Sequence, residues 1–119
     1  MEVYREFKFD AAHLLPNVTP GHGCSRMHGH TFRVVVYLDG KVGEKTGWLR
    51  DFGEIKKICR PVIEKLDHAY LNDIPGLENP TSENIAIWIW RKLSPDLPGL
   101  SMVEVKETQS TGCRYRGPE

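Results

Sequence analysis

Residues 28–38, His-Gly-His-Thr-Phe-Arg-Val-Val-Val-Tyr-Leu, constrain the fold more than any other stretch of this chain. A run rich in β-branched and aromatic residues reads as a strand, and strand side chains alternate between faces. His28 and His30, two apart, therefore share one face. Residues 3–9, Val-Tyr-Arg-Glu-Phe-Lys-Phe, alternate in the same way and run on through Asp10-Ala11-Ala12 to His13. His13 has the parity of Phe7 and Phe9, so it continues their inward face. Between the two strands, Pro16, Asn17, Pro20, Gly21 and Gly23 make residues 14–27 a loop. Antiparallel pairing of the strands brings His13 near His28 and His30.

The remaining chain supplies two helices and two more strands. Gly40 to Gly47 is turn-like, and Trp48-Leu49-Arg50 is expected as a short return segment. Asp51, with Glu54 three residues on, resembles a capping box that opens a helix. Ile55, Ile58, Cys59, Val62, Ile63 and Leu66 form its apolar stripe, and Pro61 inside the stripe predicts a kink or break. Thr81 or Ser82 caps a second helix that ends near Ser94, before Pro95, and is apolar on several sides. Residues 101–108 alternate, with Val103, Val105 and Glu107 on one face, and Cys113–Arg116 forms a short last strand after a turn at Ser110-Thr111-Gly112. The order ββααββ describes an α+β fold, an antiparallel sheet with two helices on one face, in a single domain over residues 1–119.

Composition removes several function classes. The 16 basic and 16 acidic residues balance, which leaves no electrostatic footprint for nucleic acid or an anionic membrane. The longest apolar run, Ile85–Trp90, is far too short to span a bilayer, and the N-terminus lacks a signal-peptide core. Cys24, Cys59 and Cys113 are odd in number and widely spaced, so no disulfide framework is expected and a reducing cytoplasm is the expected compartment.

The chemistry gathers at the first two strands. His13, His28 and His30 read as a three-nitrogen zinc site, one zinc per chain, with a fourth position open for water or substrate. Cys24, four residues before His28, reads either as a fourth ligand of a closed structural centre or as a reactive thiol beside an open one. The Gly-rich loop and Arg26 favour the thiol. Asp67-His68, after the first helix, suits a proton shuttle, although a histidine answering the helix dipole explains the pair equally well. Glu107 faces inward, where an uncompensated carboxylate is costly. A planar ligand with two N–H donors would satisfy it, as would a Lys or Arg. Arg26 suits a phosphate or a loop ion pair. Cys59 belongs to the helix stripe, and His22 and Cys113 have no partner legible in sequence.

Taken together, these motifs resemble the 6-pyruvoyl-tetrahydropterin synthase superfamily, and most closely its bacterial carboxy-forming branch, which serves queuosine biosynthesis. The resemblance rests on Phe9-Asp10-Ala11-Ala12-His13 and Cys24-x3-His28-Gly29-His30. It extends through Gly47–Phe52, Leu66–Asn72, Asn79–Asn84 and Val105-Lys106-Glu107-Thr108. It implies a T-fold whose subunits join edge to edge into barrels, commonly a homohexamer built as a dimer of trimers, with active sites between subunits. It also implies zinc on His13, His28 and His30, proton transfer by Cys24, Asp67 and His68, and pterin binding by Glu107 with Thr108. The implied substrate is 7,8-dihydroneopterin triphosphate, with room for Mg2+ beside the triphosphate and for Arg26 as a phosphate contact. Three residues between Cys24 and His28 match the carboxy branch, whereas animal pyruvoyl-forming enzymes carry more. Ser25 stands where close relatives would have glycine. The competing expectations are the pyruvoyl-forming reaction, which stops before carbon–carbon cleavage, and a non-catalytic zinc module closed by Cys24.

Overall fold

The structure is a computed structural model that describes residues 1–118. A five-stranded sheet in the order β3-β1-β2-β4-β5 carries two helices. Strands β1 (Glu2–His13) and β2 (His28–Asp39) pair antiparallel along their whole length. Strand β4 (Leu100–Lys106) pairs antiparallel with β2, and β5 (Gly112–Tyr115) with β4. The helices are α1 (Phe52–Glu64) and α2 (Ser82–Leu93). Both pack on one face, where Phe7, Phe9, Phe32, Val34, Val36, Val103 and Val105 meet Ile55, Cys59, Ile63, Ile85, Ile89 and Leu93. The two-residue alternation of the strands thus sends one side chain in two to the core, as their sequences require. The fold class read from the sequence, an α+β fold with two helices on one face of the sheet, is the one present.

Five local expectations differ from the structure. A two-residue strand β3 (Ala69–Tyr70) lies between the helices and pairs parallel with Ala11 and Ala12, so the sheet is mixed at one edge. Two residues carry too little alternation to be read as a strand. Helix α1 continues through Pro61, which sits in the last turn where a missing N–H removes only one bond before the helix ends at Glu64. Asp51 caps α1 by accepting from the Gly53 main-chain N–H, but Glu54 turns to Arg50 at 3.7 Å instead of closing the box. Residues 48–50 form no strand, and the last strand runs Gly112–Tyr115, one residue ahead of its expected place.

Cys59 is fully buried in the core, and burial pushes its thiol pKa up to about 12. Trp88 is buried, and Trp90 meets Tyr115 edge to face at 5.6 Å, so both serve packing. Among the described residues no helix is long and apolar enough to cross a membrane.

Candidate metal centre

The β1–β2 register places His13 directly opposite His28 and Ala11 opposite His30. Directly opposed residues share a face, so three imidazoles converge at one end of the hairpin. Ring centroids lie 4.6 Å apart for His13–His28, 4.9 Å for His28–His30 and 5.3 Å for His13–His30. Glu107, just past the end of β4, reaches the same point, and the ligand atoms of all four residues lie within 4.8 Å of one another.

The outer hydrogen bonds of the rings fix their tautomers. His13 Nδ1 lies 2.8 Å from the Pro80 carbonyl and His28 Nδ1 lies 2.7 Å from the Arg26 carbonyl. A carbonyl only accepts, so each Nδ1 carries its proton and each neutral ring keeps an Nε2 lone pair. Carbonyl partners of this kind orient metal-binding histidines. His13 Nε2 and His30 Nε2 are buried and make no aligned hydrogen bond. Glu107 Oε1 stands 3.3 and 2.8 Å from them, outside hydrogen-bond geometry. Buried polar atoms left so are costly, and a cation among them removes that cost. Burial is the main influence that lowers the His30 pKa; the Glu107 carboxylate opposes it, and the His13 and His28 rings add to it. A neutral His30 is what a metal requires. The residues fit a metal ion, and imidazole nitrogens with a carboxylate suit zinc among the borderline ions.

A pocket of about 360 Å³ opens on this cluster, walled by His22, Gly23, Cys24, His28, His30, Glu107, Thr108 and Thr111. Cys24 is half-buried in a 3-10 turn over Gly23–Ser25 and lies outside the converging donor set. Glu107 accepts a hydrogen bond from Ser82 Oγ at 3.2 Å, and no Lys or Arg pairs with it among the described residues. Thr108 Oγ1 and Thr111 Oγ1 share a hydrogen bond of 2.5 Å. The Arg26 side chain is exposed and forms no ion pair among the described residues, and its carbonyl faces His28 Nδ1.

Asp67 and His68 are placed elsewhere. They follow α1 beside the edge of β1, where Asp67 Oδ1 accepts the Asp10 main-chain N–H at 3.0 Å and Asp67 Oδ2 lies 3.1 Å from His68 Nδ1. The His68 main-chain N–H returns to the Asp10 carbonyl at 2.7 Å. The Asp10 N–H is the largest of the influences that hold the Asp67 carboxyl below its ordinary value, with His68 adding to it. His68 has a φ of 58°, a left-handed conformation uncommon for a non-glycine residue, and its side chain is 80% exposed. A second pocket of about 540 Å³ is lined by Asp10, Thr31, His68 and Ala69 and touches His30, but not Cys24. Within one protomer, therefore, the thiol and the Asp67–His68 pair open into different pockets.

Three contributors carried too little signal to be found in the sequence. The Pro80 and Arg26 carbonyls act through the main chain, which residue identity does not reveal. Of the two cap candidates, Thr81 holds the position, accepting from the Asn84 N–H, which leaves the Ser82 hydroxyl to meet Glu107, a contact between distant elements.

The family model described as 6-pyruvoyl tetrahydropterin synthase matches residues 2–118. A 6-carboxy-5,6,7,8-tetrahydropterin synthase of Synechocystis is 46% identical, over 98% of this chain and 93% of that protein. A dihydroneopterin monophosphate aldolase of Pyrococcus furiosus is 40% identical, over 82% of this chain and 77% of its own. Among solved structures, the 6-pyruvoyl tetrahydropterin synthase of Caenorhabditis elegans superposes with a TM-score of 0.91 at 28% identity, covering 99% of this chain and 96% of that one.

Proposed function

Because this chain belongs to the 6-pyruvoyl tetrahydropterin synthase family, we propose that it is a zinc-dependent lyase of the carboxy-forming branch, active in queuosine biosynthesis. The reaction converts 7,8-dihydroneopterin triphosphate and water to 6-carboxy-tetrahydropterin, acetaldehyde and triphosphate. The observation that carries the proposal is the pair of buried, unsatisfied Nε2 atoms on His13 and His30, the latter lining a pocket that Cys24 and Glu107 also wall. Identity of 46% over almost the full length, and three residues between Cys24 and His28, favour the carboxy branch.

His13, His28 and His30 would hold the zinc, which supplies Lewis acidity at the substrate's side-chain oxygens when bound. Glu107 turns from Ser82 to the two N–H donors of the pterin edge, a bidentate charge-assisted contact, with Thr108 beside it. Cys24 removes and returns protons on the substrate side chain, and His68, oriented by Asp67, exchanges them with it. The opening of Cys24 and His68 into different pockets of one protomer supports a working pair drawn from two protomers. A cytoplasmic homohexamer of single-domain subunits, a dimer of trimers, provides such an interface. Arg26 reaches the triphosphate, which Mg2+ accompanies.

The test is an anaerobic product assay with zinc-loaded protein and 7,8-dihydroneopterin triphosphate. Acetaldehyde and 6-carboxy-tetrahydropterin formed one to one support the carboxy branch. A pterin that keeps its three-carbon side chain after triphosphate loss moves the protein to the pyruvoyl-forming reaction. Unchanged substrate with metal-replete protein refutes both, leaving a zinc module; against that module stands the position of Cys24 outside the donor set.

A further inference from the structure

We propose that His22 is a positioning residue for the Cys24 thiol, its ring nitrogen clamping the main chain that sets where the sulfur sits. The proposal rests on Cys24 being the thiol of the reaction above. His22 Nδ1 accepts the Cys24 main-chain N–H at 3.0 Å, and the Cys24 carbonyl accepts the Leu15 N–H at 2.7 Å. Both main-chain polar groups of Cys24 are thereby occupied, one by a side chain and one by the far limb of the loop. The His22 carbonyl is engaged too, accepting the Ser25 N–H at 2.9 Å and Ser25 Oγ at 2.6 Å. Because Nδ1 accepts, the ring is neutral with its proton on Nε2.

The surroundings say what this clamp is for. The 3-10 turn over Gly23–Ser25 buries no residue, so apolar packing does not hold it in place. Gly21, at a φ of 91°, and Gly23 flank the clamp and leave the main chain loose unless a side chain restrains it. Histidine is not among the usual caps, which are Asn, Asp, Ser and Thr. Its Nδ1, however, is bonded to the γ-carbon, as is the Oδ1 of asparagine, and so reaches the same N–H. His22 walls the pocket that also holds Cys24, His28, His30 and Glu107. What the clamp locates is the sulfur.

The experiment compares His22→Ala and His22→Asn with the unaltered, zinc-loaded assembly. It measures kcat, KM, bound zinc, melting temperature and the rate of Cys24 alkylation by iodoacetamide, read on the Cys24 peptide. Small displacements of a reacting group cost heavily in rate, so His22→Ala should lower kcat by about tenfold or more. KM, zinc content and melting temperature should hold, while the Cys24 alkylation rate changes several-fold. His22→Asn, which restores the acceptor but not the ring, should recover both kcat and alkylation. Wild-type alkylation in His22→Ala overturns the proposal, as does a His22→Asn protein as impaired as His22→Ala. Cys24→Ala separates the two readings: turnover retained there removes Cys24 from the chemistry, while the alkylation comparison still reports whether His22 places the sulfur.

Discussion

His13 has no exposed surface, yet its Nε2 makes no aligned hydrogen bond, and the same is true of His30 Nε2. A buried imidazole with its Nδ1 already committed to the Pro80 carbonyl has one remaining use for its lone pair. Replacing His13 by Ala should therefore lower bound zinc from about one per chain to near zero after dialysis, read by elemental analysis. In the unaltered protein, removing zinc that had been present at a hundred times its dissociation constant should cost about 2.7 kcal/mol of stability. A His13→Ala protein that keeps its zinc would show that the other donors suffice. The meeting of the three histidines was legible in sequence because strand parity and antiparallel pairing depend only on residue order. The position of Glu107 was half legible: its inward face followed from Val103 and Val105, but its partner Ser82 belongs to another element.

At the scale of elements, the join between β1 and the turn after α1 is made by Asp67. Its carboxylate accepts the Asp10 N–H and faces His68, and these contacts hold its pKa below the ordinary carboxylate value of about 3.9. A depressed folded pKa means the folded state binds fewer protons than the unfolded one. Asp67 therefore adds stability above the unfolded value, and loses it as pH falls through the lower folded value. The urea midpoint of the unaltered protein should exceed that of Asp67→Asn at pH 7, and the gap should close as the pH falls below the unfolded carboxylate value and through the lower folded one. A gap unchanged by acid would assign the difference to shape or packing instead of charge. The same join explains β3: the His68 N–H bonds to Asp10, which delivers Ala69 and Tyr70 alongside Ala11 and Ala12. No two-residue stretch announces that in sequence, because its cause lies on a strand 57 residues earlier.

The whole molecule leaves sheet edges open. Strand β1 is paired on its outer side only at Ala11 and Ala12, and β5 has no neighbour beyond β4 among the described residues. Exposed edges of this length invite pairing with further strands, and the proposed barrel would close them. The extents of 57 × 27 × 26 Å reflect two twelve-residue strands that extend well beyond the helices' length. If the working site joins Cys24 of one protomer to His68 of another, two separately inactive variants should rescue each other. Cys24→Ala and His68→Ala proteins, unfolded together and reassembled, should regain roughly a quarter of wild-type turnover, as random pairing of two defects leaves one site in four intact. Mixtures as inactive as the parents would place both residues in one protomer's site.

The residues by themselves determined the helical stripe of α1, the alternation of β1, β2 and β4, and the face on which three histidines stand. Each of these depends on local periodicity and on the pairing of neighbouring strands, both of which residue order encodes. Tertiary structure alone decided that Glu107 meets Ser82, that main-chain carbonyls orient His13 and His28, and that Cys24 and His68 open into different pockets. Those outcomes turn on where main-chain groups and side chains from distant elements come to rest, which depends on the packing of the whole chain.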